Sequence, residues 1–187
     1  MGFTRTELES FVGATVPDLV GPDVALLFVG INPGLWTAAT GTHFAHPGNR
    51  FYPALRSAGL ITREIDRGRG MSDDDRRHLL ERRIGITNVA HRATAKASEL
   101  SRDELRDGGE RLRTVVRRLR PQFVAVAGIT AYRTAFREPK AQLGEHPAGF
   151  EDARLWLVPN PSGLNAHETV DSLAEWYGRA GRAAGIV

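Results

Sequence analysis

The chain has 187 residues, of which 41% are hydrophobic and 25% are charged, and its formal net charge is +3 at pH 7. This composition is that of an ordinary globular protein, and its modest basicity is compatible with a nucleic-acid partner without requiring one. The absence of cysteine excludes disulfides, cysteine nucleophiles, iron–sulfur clusters and cysteine-bound zinc.

The sequence shows no sign of export or of a membrane span. No apolar run approaches the roughly 18 residues that a membrane-spanning helix needs. The N-terminus lacks the basic-then-apolar order of a signal peptide. We therefore expect a cytoplasmic protein without a membrane partner.

Short apolar runs alternate with amphipathic segments along the chain, which is the pattern of an α/β fold. In chain order the predicted elements are a helix (4–12), a strand (23–29), two helices (50–56 and 72–83), a strand (84–89), a helix (101–120), a strand (122–128), a helix (129–136), a strand (153–158) and a helix after Thr169. The segments 36–49 and 137–149 are predicted to be loops. We expect one domain over residues 1–187, a three-layer α/β/α fold with a central, mostly parallel four-stranded sheet.

Three of the predicted strands end in polar loops, around Asn32, Asn88 and Asn160. The first loop reads Gly-Ile-Asn-Pro-Gly-Leu over residues 30–35, which cannot continue a strand because proline lacks an amide hydrogen. Ligands of open parallel sheets lie beyond the carboxyl ends of the strands, where these loops can converge. For Asn32 taken alone, an ordinary turn is the more common interpretation.

The familiar cofactor motifs are missing. No Gly-x-Gly-x-x-Gly, Walker A or Gly-x-Ser-x-Gly motif follows a predicted strand. His43 and His46 have metal-like spacing, but they lie in a loop without cysteine or a nearby carboxylate, so we expect no metal and no cofactor. Amides, backbone groups and the aromatic Phe44 remain, and they suit a neutral, planar, hydrogen-bonding ligand such as a nucleobase.

The motifs over residues 30–35, 41–51 (Gly-Thr-His-Phe-Ala-His-Pro-Gly-Asn-Arg-Phe) and 160–164 (Asn-Pro-Ser-Gly-Leu) closely resemble those of the mismatch-specific uracil/thymine-DNA glycosylases, within the uracil-DNA glycosylase superfamily. The similarity extends through residues 85–88 and the Gly-Gly helix at 108–109, and so covers nearly the whole chain. It implies a monomeric, monofunctional enzyme that removes flipped uracil, especially opposite guanine, from double-stranded DNA and leaves an abasic site.

The resemblance also implies roles for individual residues around the base. Asn32 matches the residue that holds the attacking water, and the Ile31 amide matches a donor to the base carbonyl. Phe44 matches the ring that stacks on uracil. Asn88 stands where bacterial mismatch enzymes often carry lysine and thymine-DNA glycosylases carry asparagine. Thr37 matches a small residue near C5 of the pyrimidine, so its β-branch is expected to favour uracil over thymine.

A second set of residues matches the DNA-inserting loop of the family. Leu164 matches the wedge that fills the gap left by the flipped base, with Gly163 and Ser162 beside it for the DNA backbone. The sequence departs from the pattern after the wedge, where the segment 165–167 (Asn-Ala-His) replaces the usual arginine, and this leaves guanine selectivity open. A non-catalytic nucleobase- or DNA-binding module and a glycosylase for hypoxanthine, xanthine or etheno adducts remain alternatives.

Overall fold

A five-stranded sheet forms the centre of the computed structural model, which describes residues 2–187. The strands lie in the order β2-β1-β3-β5-β4, and only β4 runs antiparallel to its neighbour. Their bounds are β1 Leu26–Gly30, β2 Ile84–Asn88, β3 Phe123–Ala127, β4 Gly144–Phe150 and β5 Ala153–Val158.

Seven α-helices of the described residues surround the sheet, together with a 3₁₀ turn at Ala97–Glu99. They are α1 Arg5–Glu9, α2 Leu35–Thr40, α3 Phe51–Ser57, α4 Asp73–Glu81, α5 Arg102–Leu119, α6 Ile129–Ala135 and α7 Val170–Ala183. Capping boxes start four of the helices, with Thr4, Ser72, Ser101 and Thr169 as the N-caps. None of these helices is both long enough and apolar enough to cross a membrane.

Alternate side chains of β1 point into two different hydrophobic cores, which makes the fold three-layered. Phe28 packs edge-on against Phe51 of α3 and Tyr177 of α7 on one side of the sheet. Leu27 and Val29 lie in the core that α5 and α6 cover on the other side. Because both faces of β1 and β3 are buried, these two strands appear in the sequence as continuous apolar runs.

The predicted sheet of four strands is wrong by one strand, since all of β4 except its last residue lies within the segment 137–149 that the sequence predicts to be a loop. Pro147 and Gly149 interrupt this segment, and most of its side chains are partly or fully exposed. Such a sequence is typical of an edge strand, where a missing amide hydrogen breaks no ladder. The other predicted loop, 36–49, contains most of α2, which is too short to show helical periodicity.

The register of the parallel strands places the polar loops together. Gly30, the last residue of β1, is the register partner of Asn88, the last residue of β2. The backbone then continues the pairing for two residues, because the amides of Val89 and Ala90 donate to the carbonyls of Gly30 and Ile31, both at 2.9 Å. The chain beyond β5 reaches the same edge of the sheet, as predicted for loops that follow parallel strands.

Candidate active site

A cavity of about 400 Å³ opens at this edge of the sheet. The residues predicted to bind the base and hold water line its inner part: Ile31, Asn32, Thr37, Phe44 and Asn88. The residues predicted to contact DNA line its mouth: Ser162, Gly163 and Leu164. The fold thus brings together every side chain that the sequence singles out, although these residues come from four separate stretches of the chain.

The orientation of the Asn32 side chain is fixed by three acceptors. Its Nδ2 donates to the carbonyls of Arg92 at 2.9 Å and Pro33 at 3.1 Å, and to Oγ1 of Thr94 at 2.8 Å. The Thr94 hydroxyl in turn donates to the carbonyl of Lys96 at 2.9 Å, so towards Asn32 it acts as an acceptor. Because Nδ2 is held in this way, Oδ1 of Asn32 is the atom left to accept a hydrogen bond from a molecule in the cavity.

Phe44 forms one wall of the cavity and is itself backed by a second ring. Its ring stacks on that of Phe51 with 4.1 Å between centroids and 26° between planes. The backbone of Phe44 has φ of 57°, a left-handed conformation that is uncommon for a bulky residue. The hydroxyl of Tyr52 donates to the carbonyl of His43 at 2.9 Å and so holds the preceding peptide in place. The unusual backbone conformation therefore presents an aromatic face to the cavity.

Asn88 is buried and its amide is oriented by a histidine. Asn88 Nδ2 lies 3.1 Å from Nδ1 of His43, and His43 Nε2 lies 3.0 Å from the carbonyl of Pro17. A carbonyl only accepts, so Nε2 carries the hydrogen and Nδ1 accepts from Asn88. Burial lowers the pKa of His43, which favours the neutral ring that this arrangement requires. Asn88 consequently offers Oδ1 and one remaining N–H to the cavity.

Gly30 provides the floor between Asn88 and Phe44. A Cβ at this position would lie 2.4 Å from Asn88 Oδ1 and 3.2 Å from the Phe44 ring. Any side chain at residue 30 would therefore displace the two groups that face a ligand. The positive charges and carboxylates of the chain stay outside, since no acidic or basic side chain lines the cavity within residues 2–187 apart from its two histidines.

The loop after β5 stands at the mouth of the cavity with Leu164 at its tip. The side chain of Leu164 is 90% exposed, which is exceptional for a leucine. Hydrogen bonds within the loop hold its shape: Ser162 N donates to Asn160 Oδ1 at 3.0 Å, and Asn165 Nδ2 donates to the Asn160 carbonyl at 3.0 Å. An exposed apolar tip on a structured loop is suited to insertion into an apolar environment.

Some residues of the site cannot be identified from sequence. The spacing of His43 suggests only a metal ligand, whereas the structure places this residue behind Asn88 with both ring nitrogens engaged. Thr94 stands out only as a polar residue after β2, and its contact with Asn32 depends on a loop pairing that no sequence pattern predicts. The sequence indicates Gly30 as the end of a strand and the first residue of the 30–35 motif, without a role of its own. Its position beside Asn88 follows from the register of β1 and β2.

The chain is similar to known proteins in sequence and in fold. The family model described as the uracil DNA glycosylase superfamily matches residues 17–178. A solution NMR structure of a candidate uracil DNA glycosylase from Methanosarcina acetivorans superimposes with a TM-score of 0.62 and 17% sequence identity, covering 93% of this chain and 99% of the other. At this identity the structural similarity supports the fold alone, and the family match supports the assignment of the chain.

Proposed function

Because the chain belongs to the uracil-DNA glycosylase superfamily, a family of DNA glycosylases, we propose that it excises uracil from double-stranded DNA, preferentially from G·U mismatches. The observation that carries this proposal is the convergence of Asn32, Phe44 and Asn88 on one neutral cavity with Leu164 at its mouth. The reaction is hydrolysis of the N-glycosidic bond, and the product is an abasic site. We assign the protein to the mismatch-specific branch of the family and expect it to act as a monomer.

Base recognition follows from the fixed orientation of Asn88. A uracil stacked on Phe44 offers a donor at N3 and an acceptor at O4, which complement Oδ1 and the remaining N–H of Asn88. Cytosine reverses both groups and would place acceptor against acceptor and donor against donor, at a cost of roughly 10⁴-fold in rate. His43 and the Pro17 carbonyl maintain this preference because they hold the amide in one of its two orientations.

The chemical step is assigned to Asn32 and Ile31. Oδ1 of Asn32 accepts a hydrogen bond from a water and directs it at the sugar carbon, but an amide cannot take the proton as a carboxylate would. The N-glycosidic bond therefore breaks with oxocarbenium character, and negative charge develops on the leaving base. Water adds to the sugar carbon, and the proton that it loses passes to the released uracil anion. The Ile31 amide donates to no atom of residues 2–187, so it is available to stabilise that charge.

A water nucleophile implies a monofunctional glycosylase. Enzymes that also cut the strand use an amine to form a Schiff base with the sugar. No lysine lines the cavity in the described part of the chain, and the only lysines of the sequence are Lys96 and Lys140. Strand scission should therefore require alkali after base removal.

Extrusion of the base is assigned to the loop that carries Leu164. Its side chain would enter the base stack, with Gly163 close to the opposite strand and Ser162 near a phosphate. Guanine pairs less well with uracil than adenine does, so extrusion from a mismatch costs less. The Asn165 side chain is engaged within the loop, because its Oδ1 also accepts from the amide of His167 at 3.3 Å. Among the residues after the wedge, the exposed His167 is left to contact the opposite base.

Incubation of the protein with a duplex containing one G·U pair, followed by alkali, tests the proposal. Strand scission at the uracil is expected with wild type, and Asn32→Ala should abolish it while DNA binding stays nearly intact. A duplex that stays intact under single-turnover conditions, although the protein binds it, would instead indicate a non-catalytic base-binding module. Parallel duplexes with thymine, hypoxanthine, xanthine or an etheno adduct opposite guanine rank the substrates.

A further inference from the structure

The guanidinium of Arg50 lies at the centre of the loop that carries Leu164. Its NH2 group donates to the carbonyls of Ser162 at 3.2 Å, Gly163 at 3.2 Å and Asn165 at 3.1 Å. Its NH1 group donates to the carbonyl of Glu168. The chain therefore curls around one cation, and each of these bonds ends on a backbone oxygen.

Arg50 is one of a few arginines here that bond to backbone carbonyls without an acidic partner, as Arg82 also does with the carbonyls of Leu60, Gly59 and Ile186. Many of the other arginines pair with carboxylates, as Arg92 does with Glu104 at 2.7 Å. Among residues 2–187 no carboxylate forms an ion pair with Arg50, and its contacts with the loop are the bonds to carbonyls. A planar group with five N–H donors can satisfy several carbonyls at once, which an ammonium cannot do in the same geometry. The role of Arg50 is thus to organise the backbone and not to neutralise an acid.

Arg50 also links the loop to the wall of the cavity. Its own amide donates to the carbonyl of Pro161 at 3.0 Å, and the next residue is Phe51, on which Phe44 stacks. A second contact joins the same two segments, since a Cβ on Gly163 would lie 2.7 Å from the carbonyl of Gly48. The tip of the loop and the aromatic wall therefore form one connected unit.

We propose that Arg50 is a positioning residue for base extrusion, which holds the loop 162–165 in the shape that directs Leu164 into the duplex. This assignment rests on the proposed function and adds a residue that acts through the wedge. Without the guanidinium, the carbonyls of the loop lose their common donor and the loop becomes free to rearrange. Extrusion then slows, whereas the groups that surround the extruded base stay in place.

Single-turnover cleavage of two duplexes tests this role, one with uracil opposite guanine and one with uracil opposite an abasic-site analogue. In the second duplex the uracil is unpaired, so the wedge contributes less. We expect Arg50→Met to slow cleavage of the G·U duplex by about 10- to 100-fold, because several charge-assisted hydrogen bonds are lost, and cleavage of the second duplex at most about threefold. Arg50→Lys should fall between wild type and Arg50→Met.

A double-mutant cycle with Leu164→Ala separates positioning from a general loss of structure. If Arg50 acts through Leu164, Arg50→Met should cost at most about twofold in the Leu164→Ala background. Arg56→Met is the matched control, because it removes one positive charge at an exposed position of α3, the helix that begins directly after Arg50. It should leave cleavage of both duplexes unchanged.

The outcomes distinguish this proposal from the proposed function. Two results would overturn the role of Arg50. One is an equal loss of rate from Arg50→Met on both duplexes, and the other is a loss from Arg50→Met that is as large in the Leu164→Ala background as in wild type. Neither result would affect the glycosylase activity established by wild type. An unaltered rate for Arg50→Met would overturn the role of Arg50 as well. Failure of wild type to cleave either duplex would overturn the proposed function, and the assignment of Arg50 with it.

Discussion

Nδ1 of His43 lies 3.1 Å from the side-chain nitrogen of Asn88, and this contact decides which atoms Asn88 shows to the cavity. The histidine is itself fixed by the Pro17 carbonyl. His43 therefore acts through Asn88 and controls which polar atoms of that amide face the cavity. The same principle recurs at Asn32, whose amide is oriented by Thr94 and two carbonyls.

Replacement of His43 should separate its hydrogen-bonding role from its bulk. His43→Leu removes the acceptor for Asn88, so the amide loses its preferred orientation, and the single-turnover rate on G·U should fall about tenfold. His43→Gln can donate towards Pro17 and accept from Asn88, and should retain most of the rate. Equal losses for the two variants would show that shape, and not hydrogen bonding, matters here.

The stability of the protein should depend on the protonation of His43. Burial lowers the pKa of this histidine below that of an exposed one, about 6.5. The unfolded chain therefore binds the proton first, so the contribution to stability is complete above about pH 6.5 and is lost as the pH falls from there towards the folded-state value. Thermal melting between pH 5 and 8 should show this loss in wild type.

His43→Gln is the control for that measurement, because it removes the titrating group while His78 and His91, whose pKa values are also lowered by burial, remain. The difference in melting temperature between wild type and His43→Gln should shrink at acidic pH if protonation of His43 destabilises the fold. Melting temperatures that change with pH in parallel for the two proteins, from pH 5 to 8, would contradict this role of His43.

Asn32→Asp should not produce a faster enzyme, although a carboxylate is the better base. One carboxylate oxygen would replace Nδ2 and face the carbonyls of Pro33 and Arg92, which cannot donate. We expect a loss of about 1–3 kcal/mol in the free energy of unfolding and no gain in single-turnover rate. Asn49→Asp is the matched control, because Asn49 Oδ1 already accepts from the Phe51 amide at 2.9 Å and a carboxylate keeps that role. A rate above wild type for Asn32→Asp would refute this account.

Gly30→Ala should impair recognition through a single added methyl. The new Cβ would lie 2.4 Å from Asn88 Oδ1, so either the amide or the strand must move. We expect a loss of about tenfold or more in single-turnover rate, since overpacking of this kind costs about 1–3 kcal/mol. Gly34→Ala is the matched control in the same loop, because its added methyl would have no neighbouring atom within 4 Å, and it should have a much smaller effect.

Thr37 is predicted to limit activity on thymine. Thr37 is buried in the wall of the cavity. If its β-branch crowds the C5 methyl, Thr37→Ala should raise the G·T rate relative to the G·U rate by about tenfold or more, the value of roughly one methylene group in an apolar pocket. Wild type that cleaves G·T as fast as G·U would refute the role of Thr37 at once.

The fold can be predicted from the sequence wherever burial is complete. β1 and β3 are apolar because both of their faces are covered, and the N-cap residues of α1, α5 and α7 are local sequence signals for the start of a helix. β4 escapes prediction because an edge strand needs neither apolar faces nor a complete set of amide hydrogens.

The site can be predicted only in part, since its contacts join distant stretches of the chain. The motifs identify Asn32, Phe44 and Leu164 as a set. The partners of these residues depend on register and loop packing, as with Thr94, which is 62 residues from Asn32, and Arg50, which is 112 residues from Ser162. Local patterns carry no information over such separations, so the roles of His43, Thr94 and Arg50 emerge only from the structure.

The pairing of Gly30 with Asn88 has a consequence for how the protein meets its substrate. The groups that would hold the base and the water stand on the ends of adjacent hydrogen-bonded strands, so their spacing is inherited from the sheet and does not await a closing lid. A DNA duplex that binds to such a preformed surface must itself change shape. We therefore expect the bending and opening on complex formation to fall on the DNA, with sequence context around the mismatch affecting the rate through the stiffness of the duplex.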